Sequence, residues 1–247
     1  MFKRYIALAV TLTCLSEAAF AQRQTYTDSD WNMSFVDSCG MPSQQSVVQQ
    51  AVDGDRKLRF SLKSGDIGKC GTDNQARHSA PFWERAELAQ RPKLKLGQRH
   101  RISAEITFQS GFTGKREAFM QIHGWTQNCK NASPPVMLKF SNGKMTIETL
   151  RKVSSFRRGK HRNILEKLIA VKSLYDKPQI LTLDFDTTTN PGRLAVSLGG
   201  QPLVTNSPVE FANCAEPYVK IGVYRPGNSG GGTSAVVFDN LLIEQVK

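Results

Sequence analysis

Three short segments combine groups able to move a proton with groups able to hold an anion. They are Trp83-Glu84-Arg85-Ala86-Glu87-Leu88, Phe119-Met120-Gln121-Ile122-His123-Gly124-Trp125 and Tyr218-Val219-Lys220-Ile221-Gly222-Val223-Tyr224-Arg225. Along an extended strand, successive side chains point to opposite faces. In the third segment Val219, Ile221 and Val223 then face a core, and Tyr218, Lys220, Gly222 and Tyr224 share the other side. Gly222 leaves a gap there through which a ligand can approach. In the second segment Met120 and Ile122 point inward while Gln121, His123 and Trp125 share the open face. Arg85 and Glu87 share a face with Trp83 in the first. Placed side by side, the three strands present Arg, Gln, His, Lys and Tyr together, with Trp for stacking on sugar rings.

This residue set suits one reaction in particular. Breaking a 1→4 glycosidic link by β-elimination requires removal of the C5 proton of a uronate and expulsion of the O4 oxygen. That proton becomes acidic only when the neighbouring carboxylate is neutralised, which Arg or Gln can do by stabilising the enolate-like charge. A His or Tyr accepts the proton, and a Tyr can donate one to the leaving oxygen. No metal or cofactor is required, and a structural calcium ion is left open, with nothing in the sequence to indicate it. Hydrolysis would call for paired carboxylates, whereas the open faces offer Glu87 alone. A lone His on a strand is more often structural, Lys220 alone would be a solvated charge, and Arg85 with Glu87 a cross-strand pair. It is their coincidence that points to a site. A non-catalytic module for acidic glycans is the alternative.

The elements that must position these groups are strands. Alternating runs at 57–62, 101–108, 136–140, 145–149, 180–185, 193–198, 218–224 and 235–243 are bounded by Gly, Pro, Asn and Asp, the pattern of an antiparallel β-sandwich. Ser141-Asn142-Gly143-Lys144 reads as a hairpin turn, because Asn-Gly tolerates positive φ. Residues 151–172 break the pattern. They carry Arg151, Lys152, Arg157, Arg158, Lys160, Arg162, Lys167 and Lys172, and Ile164, Leu165, Leu168 and Ile169 have helical spacing. The spacing predicts a short surface helix, either clamping an anionic chain or merely solvated. The glycine-rich stretch 227–232 lacks the strand-to-helix setting of a phosphate loop. His78, His100 and His161 lie outside the three segments and read as structural or surface residues.

Lys3 and Arg4, the apolar run from Ile6 to Leu15 and the Ala19-Phe20-Ala21 ending form a secretory leader, with cleavage expected after Ala21. The expectation is an exported, secreted or periplasmic protein with one domain over residues 22–247. Without Lys3, Arg4 and Glu17 the net charge passes from +12 to +11. Outside the cytosol, so basic a protein favours an acidic polysaccharide over nucleic acid, and neither a membrane nor an oligomer is expected. Cys39, Cys70, Cys129 and Cys214 remain once Cys14 leaves. An even number in an exported chain predicts two disulfides, and of three pairings Cys39 with Cys70 is the local one, leaving Cys129 with Cys214. No Cys-x-x-Cys spacing supports zinc.

Arg85-Ala86-Glu87-Leu88, Gln121-Ile122-His123 and Tyr218 to Tyr224 resemble the three signature strands of jelly-roll alginate lyases. The His123-Gly124 step, the Lys220/Tyr224 spacing and Val237-Phe238-Asp239-Asn240 look closer to the heparin lyase I-like group of the same architecture. The resemblance implies an all-β, concanavalin-like jelly roll with a concave cleft. It implies that Arg85 and Gln121 neutralise the substrate carboxylate. His123 would be the base (or assist neutralisation while Tyr224 takes both proton roles), Tyr224 the acid, and Lys220 a substrate ligand or a modulator of Tyr224. Tyr218, Trp125, Glu87 and Arg225 complete the expected binding surface. Ala86 replaces the usual Ser or Thr, no Arg follows Leu88, and Arg225-Pro226 replaces Asn-Gln. The acidic glycan is therefore left open.

Overall fold

The computed structural model describes residues 25–27, 34–37, 46–52, 55–76, 80–124, 134–150, 162–211, 216–227 and 232–246. The leader, Trp125, His78, His161, Cys39, Cys129, Cys214 and residues 151–161 lie outside them.

The described residues form two antiparallel sheets. One runs β1 (Thr25–Thr27), β2 (Ser34–Asp37), β5 (Trp83–Arg91), β14 (Tyr218–Pro226), β7 (Glu117–His123), β8 (Val136–Ser141), β9 (Lys144–Leu150), β10 (Arg162–Ala170). The other runs β13 (Gln201–Val209), β12 (Gly192–Leu198), β11 (Gln179–Asp186), β6 (Arg99–Phe108), β15 (Ser234–Val246), β4 (Asp55–Leu62), β3 (Val47–Val52). From β4 to β7 the chain alternates between the sheets. The last two strands insert into the middle of one sheet each, which gives the expected jelly-roll sandwich.

Alternation creates the core. Leu58, Phe60 and Leu62 of β4, Ile102, Ala104, Ile106 and Phe108 of β6, and Val219, Ile221 and Val223 of β14 meet between the layers. Phe108 packs edge-on against Phe112, Phe119 and Phe140, with ring centroids 5.0–5.1 Å apart, an arrangement that favours aromatic quadrupoles beyond simple burial. The Asn142-Gly143 turn has the expected positive φ values, 52° and 77°.

The helix expected within 151–172 is absent where it is described. Residues 162–170 are strand β10, paired antiparallel with β9, and only Val171–Leu174 form a 3-10 turn. Leu165 and Ile169, four positions apart, satisfy a strand's two-residue period as well as a helix's turn, and both pack on the core. Pairing to an open sheet edge decided between the two. Among the described residues β10 is the last strand of its sheet.

Candidate active site

Strand β14 lies between β5 and β7, so the three sequence segments are neighbours. Tyr224 stands opposite Arg85 and Gly222 opposite Glu87. On the other flank Lys220 faces Gln121 and Tyr218 faces His123. Arg85, Glu87, Gln121, His123, Tyr218, Lys220 and Tyr224 therefore share the face turned away from the core.

Most of that face is not open. Arg85, Glu87, Gln121 and Lys220 are all buried. Glu87 is the hub: Lys220 Nζ donates to Oε2 at 2.9 Å, Gln121 Nε2 donates to Oε1 at 2.5 Å, and Arg85 Nη1 also reaches Oε2. Burial alone would raise the Glu87 carboxyl, but Lys220 and Arg85 overcome it and hold it at about 2. Glu87 is thus an ionised structural anion that cannot act as a general acid. Lys220 is pushed below its ordinary value by burial, against the pull of Glu87. Gly222 lies opposite Glu87 but is itself buried, so the ligand gap expected there is filled.

Arg85 is held from a second side by a residue the sequence pattern did not single out. Its Nε and Nη2 donate to the two carboxylate oxygens of Asp73, each at 2.9 Å, the bidentate geometry that a planar guanidinium favours. Asp73 lies in the connection between β4 and β5 and also accepts from the Cys70 amide at 3.1 Å. Cys70 is disulfide-bonded. Gly68 lets this loop lie against the strand, since a Cβ there would sit 2.2 Å from Asp73 Oδ2 and 2.7 Å from Arg85 Cβ. The cysteine at position 70 was the only sequence signal near Asp73. Arg85, Lys220, Asp73 and Glu87 carry two positive and two negative charges that cancel.

The half-buried groups divide between the two ends of this plug. At one end Tyr224 stacks on Trp83, ring centroids 4.9 Å apart, and lies 4.1 Å from the Arg85 guanidinium carbon. At the other, Tyr218 Oη and His123 Nδ1 are 3.3 Å apart. By register His123 is paired with Tyr218, six residues from Tyr224 along β14. Burial raises the Tyr218 hydroxyl above its ordinary value, with Arg91 opposing, so Tyr218 stays protonated near neutral pH.

Arg225 is also corrected. It is fully buried on the core side with Val219, Ile221 and Val223, where it pairs with Glu84 and donates from Nη1 to Glu117 Oε1 at 2.8 Å and Ser234 Oγ at 2.9 Å. It cannot meet a substrate. A register slip between Ile221 and Tyr224 admits this arrangement. Phe119 and Met120 both enter the core there, which turns Glu117 toward Arg225. Gly222 sits at the slip with φ +133°, and a Cβ would come within 2.1 Å of the Ala86 carbonyl oxygen. Its role is the backbone, not access. On β8 and β9, Lys139 and Glu148 make a further ion pair, a carboxylate the sequence reading passed over. Buried His100 contacts the Lys95 carbonyl through Nε2 at 2.9 Å, the structural role expected of it.

The chain belongs to the polysaccharide lyase family, whose profile matches residues 24–241, and it is a polysaccharide lyase rather than a binding module alone. Solved structures share its fold. They include alginate lyase AlyC3 (14% identity, 81% of this chain and 78% of that one, TM-score 0.55). The family 7 alginate lyase A1-II′ aligns at 15% identity over 83% and 85%, TM-score 0.56. Alginate lyase PA1167 from Pseudomonas aeruginosa aligns at 16% over 83% and 96%, TM-score 0.54. No curated protein matches the chain in sequence.

Proposed function

We propose that the enzyme cleaves an acidic, uronate-containing polysaccharide by β-elimination, with His123 as base and Tyr218 as acid. The observation that carries this reading is the 3.3 Å contact between Tyr218 Oη and His123 Nδ1. With Nδ1–H donating to Tyr218 Oη, His123 Nε2 keeps a lone pair for the C5 proton and the Tyr218 O–H is left for O4. The C5–H electrons form the C4–C5 double bond, the C4–O4 bond breaks, and O4 takes the Tyr218 proton. A phenol raised above its usual value fits an acid and not a phenolate base, so the two proton roles separate cleanly.

Two further observations support an acidic substrate. The chain carries a formal net charge of +12, and A1-II′, of the same fold, was solved with substrate and with product bound. Paired-carboxylate hydrolysis is disfavoured, because Glu87 is held ionised and Glu148 is tied to Lys139. The leader-like residues 1–21 and the bonded Cys70 favour an exported protein, checked by finding Gln22 as the mature N-terminus. Incubation with a panel of polyuronates and glycosaminoglycans, followed by the ultraviolet absorbance of the C4–C5 double bond, tests the reaction. A rise on at least one polymer is expected. New reducing ends without unsaturated product would replace elimination by hydrolysis.

A further inference from the structure

Strand β2 covers β5 only from Leu88 to Arg91. Along Trp83 to Arg85 the loop 66–73 takes its place. Its backbone is sewn to the strand. The Gly68 amide donates to the Trp83 carbonyl oxygen at 3.1 Å, the Trp83 amide to that of Asp73 at 2.8 Å, and the Arg85 amide to that of Asp66 at 3.3 Å. The Asp73 amide closes a turn onto the Cys70 carbonyl oxygen at 2.8 Å, and Cys70 is disulfide-bonded. The loop thus delivers one buried carboxylate to a fixed place beside Arg85. Stability alone gives no reason for it, since apolar side chains of similar volume often serve as well as a buried ion pair. Orientation does. A guanidinium has five N–H groups. Asp73 takes those of Nε and Nη2, and Glu87 takes one of Nη1. Among the described residues, one N–H on Nη1 and one on Nη2 are left for an incoming acceptor. Burial raises the Tyr218 hydroxyl while Arg91 and Arg85 pull it down, so the Arg85 charge is felt at the His123–Tyr218 end.

We propose that Asp73 is a positioning residue of the reaction, fixing the Arg85 guanidinium so that its remaining N–H groups meet the carboxylate of the uronate whose C5 proton is removed. This rests on the elimination reading given above. Donors set in place beforehand stabilise the developing enolate-like charge without reorganisation, which a freely rotating arginine could not do. Asp73 is itself buried and acts only through Arg85. Its negative charge weakens the field of the guanidinium, so what it contributes is direction.

The test compares wild type, Asp73→Asn, Arg85→Gln and the double variant on an acidic oligouronate and on its methyl ester, with urea unfolding curves showing each protein folded. Calorimetric affinity is the first readout and kcat for unsaturated product the second. Asp73→Asn should bind the acid form about tenfold more weakly, the worth of one charge-assisted hydrogen bond, with ester affinity unchanged. Removing a negative charge would by field alone tighten the hold on an anion, so a loss reports orientation. The same variant should lower kcat by on the order of 10²-fold. On the Arg85→Gln background it should add no further loss, because the two residues act as one unit. Asp73→Glu keeps the charge but moves the carboxylate by one methylene, and it should share the loss on the acid form. Should Arg85→Gln fail to fold, the acid and ester affinities of the two Asp73 variants decide. No loss on the acid form, an equal loss on acid and ester, or a loss that persists in full without Arg85 overturns the positioning role. Binding of neither form by the wild type overturns it as well. If the wild type binds the acid form yet forms no unsaturated product, the elimination reading fails while the affinities still decide the role of Asp73.

Discussion

Replacing Glu87 by Gln tests whether the centre of the sheet is a structural plug. The change keeps the shape of the side chain and removes the anion that holds Lys220 at 2.9 Å and also pairs with Arg85. Breaking a buried pair from one side costs about 3–5 kcal/mol, because the surviving charge stays desolvated. For a domain of this size that is on the order of 6–20 °C in Tm. The pH dependence is the sharper signature. A carboxyl lowered from 4.5 to about 2 contributes stability that is fully present above pH 4.5 and lost as pH falls toward 2. The shift corresponds to about 3 kcal/mol. Urea unfolding followed by tryptophan fluorescence, repeated between neutral pH and pH 2, should show the gap between wild type and Glu87→Gln closing on the acid side. A variant within about 1 kcal/mol of wild type at neutral pH, below the range for breaking a buried pair, would refute the plug. So would a gap that does not change with pH.

Arg225→Met should destabilise by about 3–5 kcal/mol through the uncompensated Glu84 and Glu117. Urea denaturation reads this, and a cost near zero would contradict the core placement. Gly222→Ala must strain a φ of +133° and meet the Ala86 carbonyl oxygen at 2.1 Å. A loss above about 3 kcal/mol, or failure to accumulate folded protein, is expected from backbone strain and overlap together. Asp73→Asn should lower stability by about 1–3 kcal/mol by weakening the bidentate hold on Arg85, again by urea denaturation. No change would mean that the contact is idle.

The sandwich was legible because burial writes itself into every second residue. β4, β6, β8, β9, β11, β12, β14 and β15 coincide with alternating runs in the sequence, and the Asn142-Gly143 turn was marked by its own chemistry. β1–β3 and β13 carry weaker alternation and were not anticipated. β10 looked helical because apolar residues spaced by four suit either period. Within the site, the shared face of Tyr218, Lys220 and Tyr224 followed from parity, and the same parity puts Arg225 with Val219, Ile221 and Val223. Its guanidinium suggested a ligand, yet Glu84 and Glu117 make it a core residue. The partner of His123 was beyond a single strand's pattern. Register between β14 and β7 is a long-range property, and it sets Tyr218 opposite His123. Asp73 has no periodic signal, because a loop delivers it.

The most direct measurement compares turnover by Tyr218→Phe and Tyr224→Phe on the best acidic polysaccharide, with unfolding curves showing both folded. Removing the hydroxyl at position 218 should lower kcat by on the order of 10²–10⁴-fold, the usual worth of a general acid, while the position 224 variant stays within about tenfold of wild type. Near-normal turnover by Tyr218→Phe, with the large loss appearing in Tyr224→Phe instead, would contradict proton transfer by the His123–Tyr218 pair.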